Sequence, residues 1–440
     1  MTWPWPLEDR AHPRSAFCAL PQGGDPSGLA KPDPRRLLGD DSVSWRQRWQ
    51  AWRDGVLTNP DFQRRAARSW WMRPIARRRA RGLFDLVAGF VYSQVLLACV
   101  RLQLFDLLAQ GPLTESELAR RLDLPLDGLQ RLLAAGVALD LLEHRRGVSG
   151  GGGGGSGSGN RGVARYGLGK LGAPMVGNAA IAALVEHHAV LYADLQDPVA
   201  LLRGTSAPPA LSAYWAYATA TAPGALSPAQ VGEYSALMSA SQPLVAEEVL
   251  DSYDLRRHHC LLDVGGGQGR FLRAAGRRAP QLQLMLFDLP GVVPVAHDAL
   301  AADGLAHRST VHGGDFTQDP LPQGADIATL IRVIYDHPDE RALRILRAVH
   351  RALPPGGTLL LAEPMAGAPG APRMGDAYFG FYLLAMRGGR SRTAAELQLL
   401  MENAGFERVR ELPTPIPLQV GVLVAHKPMQ AAAGTLAAGL

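Results

Sequence analysis

Cys260-Leu-Leu-Asp-Val-Gly-Gly-Gly-Gln-Gly269 is followed by a segment of helical pattern, Arg270 to Ala279, and then by an apolar run that stops at Phe287-Asp288. An apolar strand that ends in glycines and turns at once into a helix lets backbone without Cβ atoms approach a ligand. The unpaired N–H groups that open the helix can face the same ligand. Asp288 closes the second strand about twenty residues on, where an acid is placed to hold ribose hydroxyls. The glycines fall at Gly265, Gly267 and Gly269, and Arg270 stands where a dinucleotide fingerprint requires its third glycine. The stretch therefore reads as a nucleoside-cofactor site, against the plain alternative of a tight strand-to-helix turn.

This spacing is similar to motif I of class I S-adenosylmethionine-dependent methyltransferases, and Asp263 before it and Gly314-Asp315-Phe316 after a third short strand extend the pattern. Working outward, strands are expected to Val264, over Leu282 to Phe287, Thr310 to His312, Ile327 to Val333 and Thr358 to Ala362, with a last one over Val420 to Ala425. Helices are expected between them, including Asp339 to Leu353 and one that opens at a capping box, Thr393 with Glu396, and ends near Ala404-Gly405. This alternation predicts an α/β fold, a Rossmann-like doubly wound sheet over residues 256–428 with ligands at the carboxyl ends of its strands, and a tail over 429–440.

Before that domain the chain changes character. Residues 1–42 are rich in Pro, Gly, Asp and Arg without apolar periodicity and are expected to be a disordered leader. Residues 43–83 are a Trp- and Arg-rich helical extension. Trp45, Trp49 and Trp52 recur at helical spacing, Trp70-Trp71 follow the Asn59-Pro60 break, and Arg64, Arg65, Arg68, Arg73, Arg77, Arg78, Arg79 and Arg81 form a basic cluster. The tryptophan stripe fits a core, a partner-docking face or a bilayer surface, and the arginines fit either a solvated face or anionic groups. Leu86 to Val100 is the most apolar stretch; it ends at Arg101, is shorter than a membrane span and is expected to be a buried helix. Next come a capping box, Thr114 with Glu117, a break at Pro125, an amphipathic segment from Leu126 to Leu142, and a hairpin from Leu141-Leu142-Glu143 to Arg165-Tyr166-Gly167-Leu168. That order is a mostly helical winged helix, expected over residues 84–175, with a Gly/Ser insertion at 149–160 in the hairpin tip. The segment in the recognition-helix position offers Asp127, Leu129, Leu132 and Leu133 but few base-reading side chains, so the domain is read as a dimerisation module and not as a nucleic-acid reader. Residues 176–255 are a helical linker and substrate region, with a Pro-, Ala- and Ser-rich loop over Ser206 to Pro228.

With 440 residues the chain is long enough for two or three domains, and 47% hydrophobic and 19% charged residues describe a globular protein. The net charge is only +5, with arginine predominating over lysine among the basic residues. Cys18, Cys99 and Cys260 are scattered and odd in number, with no redox or metal-ligand spacing, and no secretory signal is visible; a reducing cytoplasm is the expected compartment.

Taken together, Asp263-Val-Gly-Gly-Gly, Phe287-Asp288-Leu-Pro, Gly314-Asp315-Phe316, Pro354 to Glu363 and Gly388-Gly-Arg-Ser-Arg-Thr393 resemble the caffeic acid and hydroxyindole type of small-molecule O-methyltransferase, from about Phe84 to Lys427. Within that family, the Trp/Arg leader, Phe90 to Cys99, Val185-Glu-His-His188, Tyr234 to Met238 and Asp376 to Tyr382 resemble the hydroxyneurosporene (demethylspheroidene) O-methyltransferases of carotenoid biosynthesis in purple photosynthetic bacteria. The resemblance implies S-adenosyl-L-methionine as methyl donor, a homodimer, and an acyclic carotenoid whose 1-hydroxyl is methylated to a methoxy group. The alternatives are another bulky acceptor, such as a bacteriochlorophyll precursor or a polyketide, and, from another class, a winged-helix DNA-binding regulator. It further implies that Gly265 and Gly267 approach the methionine part, that Asp288, beside Leu289, takes the ribose hydroxyls, and that Asp315 and Phe316 flank the adenine. Arg332, next to the position of the family lysine, would reach the cofactor carboxylate or else a surface ion pair. Tyr335 stands where phenol-methylating relatives carry a histidine base, and Ser391 replaces one of the two carboxylates that support it, while Glu363 keeps the other.

Methyl transfer from a sulfonium has a neutral leaving group, so alignment supplies most of the acceleration. A tertiary alcohol loses its proton during or after attack. His337, Tyr335, Asp336 and Glu363 are candidate acceptors of that proton, with His337 favoured because neutral imidazole titrates near working pH; its alternative role is a helix cap. His187, His188, Met238, Tyr378, Phe379, Tyr382 and Met386 are expected to line the acceptor pocket, or in part to be helix core. No metal is expected, because no carboxylate cluster with ligand spacing appears. A lipid-dissolved acceptor implies peripheral contact with a membrane, for which the leader is the candidate.

Overall fold

The computed structural model describes residues 44–145, 164–214, 242, 245–368, 373–415 and 420–429. The expected leader, the Gly/Ser insertion, Met238 and most of the tail lie outside them. The chain divides into two compact units, Met1–Tyr92 and Ser93–Leu440.

In the first unit the helix Trp45–Thr58 opens at a capping box of Ser44 with Gln47, and the helix Pro60–Arg68 is capped by the Asn59 side chain. The tryptophans do not form a core: Trp45 is 76% and Trp70 81% exposed, and no residue of the first helix is buried. The 29-residue helix Arg73–Arg101 begins here and corrects the expectation of a short buried helix. Leu97 and Cys99 near its end are buried, but Leu86 is 75% and Phe90 66% exposed. The helix is long and apolar enough to cross a membrane by length and composition, with a mean hydropathy of 1.9 over its best window.

The second unit starts with a small α+β module. Strands β1 (Leu113–Thr114), β2 (Leu142–Arg145) and β3 (Arg165–Leu168) pair in the order β1-β3-β2, all antiparallel. The helices Leu104–Ala109, Glu115–Leu122 and Leu126–Ala138 bury Leu104, Phe105, Leu118, Leu129 and Leu133 together with Leu142 and Tyr166 of the sheet. Thr114 and Glu117 form their capping box. The helix Ala179–Asp194 and the short helix Pro198–Leu202 follow, and another short helix, Ala210–Tyr214, replaces part of the expected loop over Ser206 to Pro228.

The larger sheet contains β4 (Cys260–Val264), β5 (Gln283–Asp288), β6 (Ser309–Gly313), β7 (Ile327–Ile331), β8 (Thr358–Glu363), β9 (Glu407–Leu412) and β10 (Gly421–His426), in the order β6-β5-β4-β7-β8-β10-β9. The first five are parallel, and β10 runs antiparallel to both of its neighbours, β8 and β9. Both faces are covered, so the central strands are apolar throughout, with neighbours on alternate faces. Leu261, Leu284, Leu286 and Leu360 pack on one face with Phe271 and Leu272 of the helix Arg270–Arg278. Leu262, Val264, Leu330 and Leu361 pack on the other with Ile345 and Leu346 of the helix Asp339–Ala352. The edge strand β9 was not apparent in the sequence, because it pairs on one side only and carries Glu407, Arg408, Arg410 and Glu411. The order reverses between β4 and β7, and that switch point, at the carboxyl ends of the strands, is where an open α/β sheet receives a ligand.

Candidate active site

Gly265, Gly267 and Gly269 all have positive φ, at +71°, +56° and +71°, a backbone conformation that side chains resist. A Cβ on Gly265 would stand 2.8 Å from a Val333 methyl, and one on Gly266 2.6 Å from Asp263 Oδ2. Gly267 differs: nothing lies within 4 Å of its missing Cβ, so this is the open face of the turn. Asp288 holds that face in place, Oδ2 accepting the Gly267 N–H at 2.7 Å and Oδ1 the Leu289 N–H at 2.7 Å. Burial raises its pKa despite those two bonds. Asp263 is buried beneath the glycines; Oδ1 accepts from Thr329 at 2.7 Å, and burial pushes its pKa up to about 7. It supports the turn from below.

At the end of β6, Asp315 is buried and accepts from the Thr317 N–H and hydroxyl and from Gln318, while its own N–H donates to Asp319 at 2.8 Å. The half-buried Phe316 ring comes within 3.7 Å of the Cβ position of Gly265, over the glycine turn. An open glycine face, two carboxylates at adjacent strand ends and an aromatic ring form a donor set that fits a nucleoside carrying a sulfonium amino acid.

The segment after β7 is clamped from two directions. Glu363, at the end of β8, accepts the Val333 and Ile334 N–H groups on Oε1 at 3.1 and 2.7 Å. Arg392, 1% exposed, donates to the Ile334 and His337 carbonyls at 2.9 and 2.7 Å and pairs with Asp339. Arg392 was quoted in the sequence only as part of a motif; an arginine beside Thr393 carries no local signal of burial. Between the clamps the turn Ile334–Asp336 sends consecutive side chains in different directions.

His337 is buried against Phe316. Its ring meets Phe316 edge-on at 5.7 Å, it is 2% exposed, and burial, with Arg341 and Arg392 nearby, pushes its pKa down to about 3. The geometry thus sets it against Phe316, the residue the resemblance assigns to the adenine. Glu363, whose pKa burial pushes up to about 8, acts here as the anchor of the turn. Asp336 is buried in the same turn. Tyr335 points the other way, into a cluster with Tyr382, Leu191, Leu201, Leu211 and Met386, and meets Phe379 edge-on at 5.9 Å. Burial raises its pKa, and Arg332 hydrogen-bonds to it. Arg332 has φ +58°, and its guanidinium serves Tyr335 and lies near Tyr378. The sequence reading placed it at a cofactor carboxylate or in a surface ion pair; here its side chain bonds to Tyr335.

Two histidine–tyrosine pairs join the helix Ala179–Asp194 to the segment around the helix Phe379–Met386. His187 Nε2 lies 2.8 Å from the Tyr382 hydroxyl and His188 Nε2 2.8 Å from that of Tyr378. Burial lowers both imidazoles, His187 to about 4. Met386 is fully buried and belongs to the core of this region, whereas Tyr378 and Phe379 are half-buried.

The strand order, the glycine turn and the acids at the ends of β5 and β6 define a class I methyltransferase. Residues 84–171 match the O-methyltransferase dimerisation domain and residues 192–407 the O-methyltransferase domain. The chain is 43% identical over 370 residues to the demethylspheroidene O-methyltransferase of Cereibacter sphaeroides, covering 84% of this chain and 93% of that one. It is 41% identical over 357 residues to the enzyme of the same name from Rhodobacter capsulatus, covering 81% and 84%. Among solved structures, human N-acetylserotonin methyltransferase in complex with SAM shares the fold, with a TM-score of 0.63 at 22% identity over 80% of this chain and 98% of that one. The S-adenosylmethionine-dependent methyltransferase SibL, in its apo form, gives 0.62 at 25% over 79% and 99%. The chain belongs to the S-adenosylmethionine-dependent O-methyltransferase family and carries that family's dimerisation domain.

Proposed function

We propose that this enzyme, as a homodimer, methylates the tertiary 1-hydroxyl of an acyclic carotenoid such as demethylspheroidene or hydroxyneurosporene. The observation that carries the reading is the similarity over most of the chain to two demethylspheroidene O-methyltransferases. The site supports it: Tyr335 in place of a histidine suits an alcohol that is not deprotonated before attack, and the aromatic cluster around Tyr378, Phe379 and Tyr382 suits a polyene end. S-adenosylmethionine, when bound, supplies an electrophilic methyl group. Asp288 would hold its ribose hydroxyls, Asp315 and Phe316 its adenine, and the Gly265–Gly267 turn its amino-acid part. The chain's contribution to rate is alignment in a site shielded from water. Incubation of purified protein with methyl-labelled S-adenosylmethionine and demethylspheroidene tests the reading; label appearing only in a different acceptor class would overturn it.

The acceptor dissolves in lipid, and the first unit presents Trp45, Trp49, Trp52, Trp70 and Trp71 on the surface among arginines. Apolar rings beside cationic side chains suit the interface of an anionic bilayer. In this reading the enzyme works at the cytoplasmic face of a membrane, held there peripherally. Deleting residues before Phe84 is expected to lower sedimentation with anionic vesicles while leaving S-adenosylhomocysteine affinity unchanged. Equal vesicle binding by both chains would refute it.

A further inference from the structure

None of the four residues favoured from the sequence as proton acceptor, His337, Tyr335, Asp336 and Glu363, pairs an open oxygen with a neutral base on the acceptor side. The helix Ala179–Asp194 supplies one. His188 Nε2 and the Tyr378 hydroxyl are 2.8 Å apart, at a normal hydrogen-bond distance. In the neutral imidazole one nitrogen carries the proton and the other accepts, and the relay uses the tautomer in which Nε2 is the acceptor. The Tyr378 hydroxyl is then the donor, and its oxygen keeps lone pairs; among the described residues it makes no other hydrogen bond.

The position suits the reaction. Tyr378 ends a π-helical turn, Arg373–Tyr378, a distortion found at functional sites. Its ring is 5.0 Å from Phe379, which touches Tyr335 at 5.9 Å. Tyr335 in turn is two residues beyond Val333, the side chain packed against the glycine turn. The companion pair, His187 with Tyr382, is buried at both ends, at 8% and 4% exposure, and reads as structure.

We propose that Tyr378 and His188 form the proton relay of this methyltransferase, Tyr378 accepting the acceptor hydroxyl's proton while passing its own to His188. As the acceptor oxygen bonds the methyl carbon and the carbon–sulfur electron pair stays on sulfur, the hydroxyl proton moves to Tyr378 Oη and the tyrosine proton to Nε2. The positive charge that began on the sulfonium ends on the imidazolium and leaves to solvent. Tyr192 and Tyr378 flank that imidazole, His187 lies near it with Tyr382 beyond, and Arg332 lies beyond Tyr378. None of these is an anion, so the imidazolium is short-lived and the base is regenerated. Burial keeps the His188 pKa below the ordinary value, so the resting base is neutral at pH 7 and is lost only as pH falls through that lowered pKa.

The inference rests on the proposed tertiary-alcohol acceptor, and one series of measurements separates the two. Wild-type enzyme is assayed first with demethylspheroidene; no turnover would sink the substrate reading and, with it, the relay. On active enzyme, Tyr378→Phe and His188→Gln are expected to lower kcat by about 100-fold, with KM little changed, and His188→Gln to abolish the acidic limb of the kcat profile. In nitrogen-labelled histidine spectra, recorded without acceptor, Nε2 of His188 should appear as a hydrogen-bonded acceptor and shift in Tyr378→Phe. A kcat within twofold of wild type in both variants, an acidic limb that survives His188→Gln, or a proton found on Nε2 would overturn the proposal.

Discussion

Glu363→Gln tests whether the buried glutamate anchors the turn after β7 or handles protons. Oε1 accepts two backbone N–H groups, at 3.1 and 2.7 Å, while Oε2 is buried without a hydrogen-bond partner among the described residues. Burial pushes the pKa from 4.5 to about 8. The folded state therefore holds a proton that the unfolded chain releases, and stability contributed by the neutral acid is full below pH 4.5 and lost as pH rises towards 8. At about 1.4 kcal/mol per unit, the loss across that window is about 4 to 5 kcal/mol. Glutamine never ionises and keeps the two accepting bonds, but its amide nitrogen takes the place of Oε2 and leaves donors unpaired, at about 1 to 3 kcal/mol. The variant is thus expected to be the less stable chain at pH 5 and, at pH 8, the more stable one by about 1 to 4 kcal/mol. Urea denaturation at matched protein concentration from pH 5 to 8 measures the difference, in which the titrations of all other groups cancel. A constant gap between the two chains across that range would refute the reasoning. With the turn still anchored, turnover should persist; a collapse of kcat with unchanged stability would return Glu363 to the chemistry.

Other expectations follow from the same geometry. Asp288→Ala removes the acceptor of the Gly267 and Leu289 N–H groups together with the proposed ribose ligand, and should weaken S-adenosylhomocysteine binding by roughly 10- to 100-fold in calorimetry. Unchanged affinity would remove Asp288 from the cofactor site. Arg392→Met leaves the Ile334 and His337 carbonyls without their donor and should cost about 3 to 5 kcal/mol of stability by urea denaturation. A loss below about 1 kcal/mol would mean the turn does not depend on that clamp.

Much of the C-terminal domain was written locally. A strand that must be apolar on both faces, a glycine turn and a capping box each depend on a few adjacent residues, so β4, the turn at Gly265 and the start of the helix at Thr393 could be read directly. Exposure of the long helix Arg73–Arg101 could not, because apolar composition says what a segment can bury and not whether anything covers it. Strand β9 escaped for the converse reason: an edge strand keeps a charged pattern.

The candidate site divides in the same way. The fold class, the acids at the strand ends and the replacement of the family histidine by Tyr335 could be read from the linear chain. Packing set the direction of each side chain in the turn after β7, with His337 against Phe316 and Tyr335 among the aromatic rings. It alone brought His188 to Tyr378, 190 residues apart in the chain. The physical reason is that a motif encodes backbone conformation over a few residues, whereas the partner of a buried polar group is set by the packing of elements far apart in sequence.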